Sequence, residues 1–439
     1  MRELILIVDV SSRYAQITAR RIREREVYCE VVKPDELIAA IDERKPIGIV
    51  LTGNEDDSSS YTEELQNILL EKDIPVFAIG AAARAFSGLT YPFKISSSLP
   101  TLAGEAAADE VYEFLYEMIG CVGDYTPADF AAETIERLRD EIGDRKVICA
   151  LSGGVDSTVS AVLLHKAIGD NLTNVFVDTG LLRKDEGKNV LALLRKSFDM
   201  KVISIEAQDR FLSELKGVTD PELKRKIIGS LYIDIFNEQA HILGDISFLG
   251  QGTIYSDVLE SGFDGAQNVK SHHNVGGLPE RLPFELVEPV RYLFKDEVRN
   301  VGMAIGLPES FVKRQSFPGP GLGVRCLGEL TVERLNILRE CDAIVREELE
   351  KTDLPFMRMQ YFAVLPNLLS VGISGDARTY LETVAIRAIH SVDLITADYV
   401  RIPYEVLDII TERIFSTVPE VNRVVLDISP KPPSTIEWE

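Results

Sequence analysis

Residues 146–157 read KVICALSGGVDS and continue into TVSAVLLHKAIG at 158–169. A short apolar run, a pair of glycines and a long apolar segment predict a buried strand, a tight turn and a helix. Gly153 and Gly154 let the backbone approach an anion closely, and the helix N-terminus beyond them offers unpaired N–H groups and a partial positive charge. Ser152, Gly153, Gly154, Val155, Asp156 and Ser157 are therefore read as a phosphate cradle. It is not a Walker loop, which needs a lysine directly after its last glycine; an acidic residue occupies the turn instead, and Asp156 suits Mg2+ better than a bare phosphate. A plain glycine turn capped by Ser157 is the structural alternative. Against it stands the next apolar run, TNVFVDTG at 173–180, a second strand ending in Asp178 and Gly180 at the edge where α/β sheets place ligands.

Working outward, KVISIEA (201–207) and ISFLGQGT (246–253) continue this α/β unit, with helical segments between the strands. Upstream, ELILIVD (3–9), GIVLT (48–52) and PVFAI (75–79) alternate with amphipathic stretches such as AQITARRIRERE, which predicts a smaller parallel α/β domain. GCVGDYTPADF (120–130) reads as a linker, with Pro127 in the first turn of the helix ADFAAETIERLRDEIG. After PGPGLG (318–323) comes the charged helix LTVERLNILRECDAIVREELEK, then strand-like YFAVLP and SVGI, a helical middle, and a last strand RVVLDIS. The expected organisation is three domains at 1–120, 121–320 and 321–439: a shortened flavodoxin-like domain, a doubly wound parallel-sheet domain and a small α+β domain.

Seventy acidic against 47 basic residues leave a formal charge of -23, the wrong sign for a protein that coats nucleic acid, though a local basic pocket for a phosphorylated small molecule is compatible with it. Cys29, Cys121, Cys149, Cys326 and Cys341 form no CxxC pair, which argues against a disulfide framework or a structural zinc site and for reduced thiols in the cytoplasm. No stretch approaches the roughly 20 apolar residues of a membrane span. A cytoplasmic protein with no membrane and no nucleic-acid partner is expected.

SGGVDS resembles the signature of the N-type ATP pyrophosphatases, which cleave ATP between the α and β phosphates. FVDTGLLRKDE, DRFLSEL, KRKIIG, LGQGTIYSDVLES, VKSHHNVGGLP, LFKDEVR, FPGPGLGVR and KPPSTIEWE together are similar to the synthetase part of GMP synthetase, in the family's order, from about residue 125 to the C-terminus. The resemblance implies ATP and Mg2+ as cofactors, with XMP and ammonia as substrates. The purine C2 oxygen attacks the α-phosphate, pyrophosphate leaves, and ammonia displaces AMP to give GMP. It further implies that Ser152 to Ser157, Asp178, Gly252 and Thr253 bind ATP. Asp156 is the metal neighbour, and Asp156, Ser157 and Lys270 serve catalysis. Arg183, Gln360, Lys431, Ile436 and Glu437 contact XMP, and the last domain forms a homodimer. Lys270, His272 and His273 match a mobile loop; adjacent histidines in an extended segment point apart and have no partner at ligand spacing, so no metal is assigned to them. Lys295 reads either as a phosphate contact or as a helix-surface lysine, and FPGPGLGVR with Arg325 either as an anion nest or as an interdomain turn.

Two departures stand out from that family. Its members open with a glutamine amidotransferase domain whose cysteine sits in a strand-turn-helix elbow. Here IPVFAIGAAARAF resembles the elbow, but Gly80 occupies the cysteine's position and no histidine precedes His165. Without nucleophile or base, no glutaminase activity is expected. Ammonia would then be taken free or from a separate glutamine amidotransferase subunit. The second departure is Leu368 and Leu369 before Ser370, where the family has an arginine. Two other readings stay open: a specialised relative that adenylylates another purine or uses another nucleophile such as sulfur, with Cys149 the cysteine to watch, and a non-catalytic nucleotide-binding scaffold.

Overall fold

The computed structural model describes residues 3–9, 12–52, 63–88, 93–96, 110–260, 284–352, 354, 359–391 and 396–439. The chain forms two compact units, Met1–Glu133 and Thr134–Glu439.

In the first unit, strands β1 (Leu4–Asp9), β2 (Tyr28–Val32), β3 (Gly48–Thr52), β4 (Val76–Ile79) and β5 (Phe93–Ser96) form a parallel sheet in the order β2-β1-β3-β4-β5. This is the flavodoxin-like order. The three strands anticipated from unbroken apolar runs, β1, β3 and β4, are the inner ones, covered on both faces. β2 and β5 lie at the edges, where Glu30 and Lys94 reach solvent, and so lack the continuous apolar signal. The helix Ser12–Arg23 lays Ala15, Ala19 and Ile22, at helical spacing, into the interior.

The second unit holds two sheets around a shared core. β6 (Lys146–Leu151), β7 (Leu172–Asp178), β8 (Val202–Glu206), β9 (Ile246–Gly250) and β10 (Glu285–Val287) are all parallel, in the order β10-β9-β6-β7-β8. The chain builds outward from β6 to β8, then returns to place β9 on the other side of β6. The winding therefore reverses between β6 and β9, and the crevice beyond their carboxyl ends is where such sheets bind ligands. Within the sheet's cover, the helix Val155–Ile168 buries every residue from Ser157 to Leu164, the small polar Ser157, Thr158 and Ser160 included.

The remaining sheet is centred on β13 (Ala377–His390), flanked by antiparallel β11 (Met359–Val364), β12 (Leu369–Ser374) and β14 (Asp398–Tyr399) and by parallel β15 (Val421–Asp427). The helical middle expected here is corrected: its first part is the 14-residue β13, and only Tyr404–Thr417 is helical. Thr383, Val384, Ile386 and Ile389 are β-branched, which favours a strand, while Arg378, Glu382 and Arg387 break the apolar alternation that announces one. One face of this sheet, with Val384, Ile386 and Ala388, packs on Leu335, Leu338, Ile410 and Ile414 in a core that runs on into the parallel sheet at Ile148 and Val175. The other face, Phe362, Val364 and Ala385, is covered by Leu327 and by Ile436 of the C-terminal tail. Among the described residues, no helix is long and apolar enough to cross a membrane.

Candidate active site

The glycine loop sits at the reversal point of the parallel sheet. Gly153 has φ +81, a conformation that side chains other than glycine's rarely tolerate, and Gly154 caps the helix Val155–Ile168. Ser152 Oγ lies 3.0 Å from Ser157 Oγ and accepts from Gly154 N at 3.2 Å, so the two serines close the loop on itself. From the far side of the reversal, Gly252 comes so near that a Cβ there would stand 2.6 Å from Ser157 N and 2.9 Å from the carbonyl carbon of Asp156. The segment just beyond β9 thus backs directly against the helix N-terminus, and only glycine permits it. Thr253, next in the chain, bonds to Glu288, which also pairs with Arg291.

Charge converges on Asp156. Its Oδ2 is 2.5 Å from Lys295 Nζ, at the start of the helix Lys295–Ala304, while Oδ1 is buried and accepts no hydrogen bond. Arg299 and Arg314 stand within the same field: burial lowers both guanidinium pKa values, and Asp156 opposes the shift. The unused carboxylate oxygen of Asp156 beside a loop of backbone N–H groups is of the type a hard cation takes, so Asp156 is the residue that would hold Mg2+, although among the described residues no cluster of three carboxylate, histidine or cysteine ligands surrounds it. Of the two readings of Lys295, the geometry puts it at the loop rather than on a free helix surface. Arg299 and Arg314 were not singled out in the sequence, because helical and turn arginines carry no motif that marks them.

β7 ends at Asp178, whose carboxylate accepts from Gly180 N at 2.9 Å and shapes the following turn. Arg339 donates to the carbonyls of Gly180 and Leu182, and Leu322 N donates to Leu181 O at 2.7 Å, which docks the PGPGLG segment on this turn. Arg183 therefore points inward: its guanidinium is buried, 3.7 Å from Asp342 Oδ2, donates to Ser316 O, and lies 4.4 Å from the Phe317 ring centre. Burial lowers its pKa to about 10 despite Asp342. On the ring's other contact, at 5.3 Å, is Arg325, which also stacks on Phe362 at 3.8 Å and grips Glu437 through two hydrogen bonds of 2.8 and 2.9 Å. Burial alone would lower the Arg325 pKa, but Glu437 raises it above the ordinary value. Nη1 of Arg325 is buried without a hydrogen-bond partner, while Nε of Arg183 faces Asp342 at a distance too long for a hydrogen bond.

The structure thus gathers Arg183, Ile436 and Glu437 around Phe317 and Phe362, and the loop residues with Gly252 and Lys295 around the sheet reversal. Gln360 lies on β11, its backbone paired to Ile389, and its neighbour Tyr361 N donates to Gln315 Oε1 at 2.8 Å. Lys431 is fixed through its backbone to Ala397 in both directions, at 2.8 and 2.9 Å. The tail is ordered by Lys224, fully buried, which reaches Glu439 Oε2 at 2.5 Å. Lys270, His272 and His273 lie outside the described residues. Cys149 is fully buried in β6 with its thiol pushed up to about 12, so it is no nucleophile at neutral pH. In the first unit, Gly80 joins β4 to the helix Ala81–Ala85 with φ 66 and ψ -119, a sharp strand-to-helix elbow with no side chain at its tip.

Comparison with known proteins adds the following. The family model for the GMP synthase C-terminal domain matches residues 347–438, and that for NAD synthase matches residues 130–227. A GMP synthase (glutamine-hydrolyzing) of Alkaliphilus metalliredigens is 46% identical over 510 aligned positions, covering 100% of both chains. One from Clostridium acetobutylicum is 44% identical over 510 positions, again covering 100% of each. The alignments therefore need 71 more positions than the 439 residues of this chain. Among solved structures, NMN synthetase from Francisella tularensis covers 46% of this chain and 79% of its own, at 16% identity and a TM-score of 0.36.

Proposed function

The chain belongs to the GMP synthase family of ATP-dependent ligases, and from that premise we propose that it makes GMP from XMP with ammonia it does not itself generate. The observation that carries the reading is the acidic glycine loop at the sheet reversal, with Asp156 Oδ1 buried and unused.

In this reading the N–H groups of residues 153–157 take the pyrophosphate end of ATP, and Lys295, Arg299 and Arg314 neutralise the charge that grows there as the α–β bond breaks. Mg2+ held by Asp156 would supply Lewis-acid stabilisation of the same oxygens. The C2 oxygen of XMP forms the new bond to the α-phosphorus as pyrophosphate departs; ammonia then adds at C2 and AMP leaves with the former carbonyl oxygen. Adenylylation matters because it converts an amide-like oxygen into a phosphate ester that leaves readily. Asp178, Gly252 and Thr253 line the ATP side. Arg183, with Gln360, Lys431, Ile436 and Glu437, forms the XMP side, where the unpartnered Nη1 of the buried Arg325 suits the nucleotide's phosphate. Lys270 serves catalysis in this reading.

The first unit is a glutamine amidotransferase remnant. Gly80 keeps the elbow's backbone and lacks its nucleophile, and the first 164 residues contain no histidine to serve as base. Ammonia arrives free or from a separate glutamine amidotransferase subunit, in the cytoplasm. Leu369, Val371 and Ile373 on β12, with Tyr380 opposite, are 49–83% exposed, an apolar surface that suits a homodimer formed through residues 321–439. The buried, high-pKa Cys149 disfavours a sulfur-transfer variant.

The test is GMP and AMP formation from XMP and MgATP, with ammonium salt in one arm and glutamine in the other. Product with ammonium alone is expected. Product with glutamine alone overturns the dead-elbow argument, and no product in either arm overturns the XMP reading.

A further inference from the structure

We propose that Arg387 is a positioning residue for the nucleotide substrate, acting through the shape of the C-terminal tail; this rests on the reading that Lys431, Ile436 and Glu437 contact XMP. Arg387 lies on β13, on the face opposite the main core, and is 0% exposed. A fully buried cation costs desolvation free energy unless acceptors surround it.

Every acceptor it has found belongs to one short stretch of chain. Nη1 donates to Ser429 O at 2.6 Å and pairs with Asp427 Oδ2 at 3.2 Å. Nη2 donates to Thr435 O at 2.9 Å and to Ser434 Oγ at 3.4 Å, and Nε reaches Ile436 O at 3.4 Å. The planar fork therefore draws residues 427–436 into a closed loop around one guanidinium. Asp427 is engaged a second time by Trp438 Nε1 at 2.9 Å, so the loop is closed beyond Ile436 as well.

This geometry places Arg387 behind the tail, not in the site. Ile436 offers its carbonyl to Arg387 and its side chain to Phe362, and the next residue, Glu437, turns its carboxylate to Arg325. Register along the tail is thus set by the guanidinium: Ile436 O must meet Nε for Glu437 to meet Arg325. A lysine keeps the charge but has a single nitrogen and cannot span Ser429 to Ile436.

The experiment compares wild type with Arg387→Lys in three readouts: steady-state kinetics at saturating ammonium, XMP binding by calorimetry, and emission of Trp438, the chain's sole tryptophan. Expected is a rise in KM and Kd for XMP on the order of tenfold or more, the scale of a misplaced contact group, with KM for ATP and kcat close to wild type and a shifted Trp438 emission. Equal loss in KM for ATP and kcat would mean general disruption and overturns the proposal, as does unchanged XMP binding with a shifted Trp438 spectrum. Ser434→Ala removes one of the acceptors without exposing a buried charge; it should move KM for XMP in the same direction by a smaller factor, and no movement there overturns the proposal if Arg387→Lys does not fold. Failure of wild type to bind XMP would instead sink the substrate reading beneath it.

Discussion

Gly252→Ala is the substitution whose outcome the structure states most sharply. A Cβ at that position would lie 2.6 Å from Ser157 N, 2.7 Å from Ser157 Cα and 2.9 Å from the Asp156 carbonyl carbon. Ordinary contact needs about 3.5 Å, so the segment after β9 and the helix N-terminus must part by roughly 0.9 Å. All three obstructing atoms are backbone, which leaves no side chain to swing aside. The displaced atoms are those of the proposed phosphate cradle, and a misplacement near 1 Å costs on the order of 10²-fold in rate, about 2.7 kcal/mol of transition-state stabilisation. Overpacking adds a stability loss of about 1–3 kcal/mol. The assay is pyrophosphate release at varied ATP, alongside thermal unfolding. Gly244→Ala is the control: Gly244 has φ +57 with nothing within 4 Å of its Cβ position, so alanine there strains the backbone without touching the loop. A Gly252→Ala enzyme with kcat/KM for ATP within threefold of wild type, or one no worse than the control, would refute the reasoning.

Further expectations concern the charges, the elbow and the thiols. Asp156→Asn should reduce AMP formation on the order of 10³-fold while shifting stability by no more than about 1 kcal/mol, since its pair with Lys295 is partly solvated; stopped-time nucleotide analysis and calorimetry check both halves. Gly80→Cys should yield no glutamate from glutamine, because the preceding chain and the next 84 residues supply no histidine before His165; measurable glutaminase activity would refute it. Glu437→Ala strips the buried Arg325 of its partner and should cost about 3–5 kcal/mol of tail docking, visible as faster amide exchange over 428–439 and weaker XMP binding. Burial raises the Cys326 thiol to about 11 and those of Cys149 and Cys341 to about 12, so the unfolded chain loses thiol protons first. The stability they contribute is whole below about pH 9 and is lost as pH rises through 11 to 12; denaturant midpoints at pH 8 and pH 10.5 should fall in that order.

What the sequence by itself determined was the local part of this protein. KVICALSGGVDS announces strand, turn and helix because a two-sided buried strand must be apolar and a turn at φ +81 must be glycine. The inner strands β1, β3, β4 and β6 were legible for the same reason, as was the elbow at Gly80 without its nucleophile. The edge strands β2 and β5 were not, because an edge position tolerates the polar residues that erase the pattern, and β13 read as helix because a buried Arg387 interrupts its alternation. Only the tertiary structure decided which distant residues meet. That Gly252 backs onto Ser157, that Lys295 faces Asp156 across 139 residues, and that Arg183, Arg325 and Glu437 surround Phe317 all follow from the reversal of strand order and from a tail folded over the second face of a sheet. Such contacts arise from how the strands are ordered in space, and a lysine or arginine carries no local trace of the acceptor that the fold will bring to it.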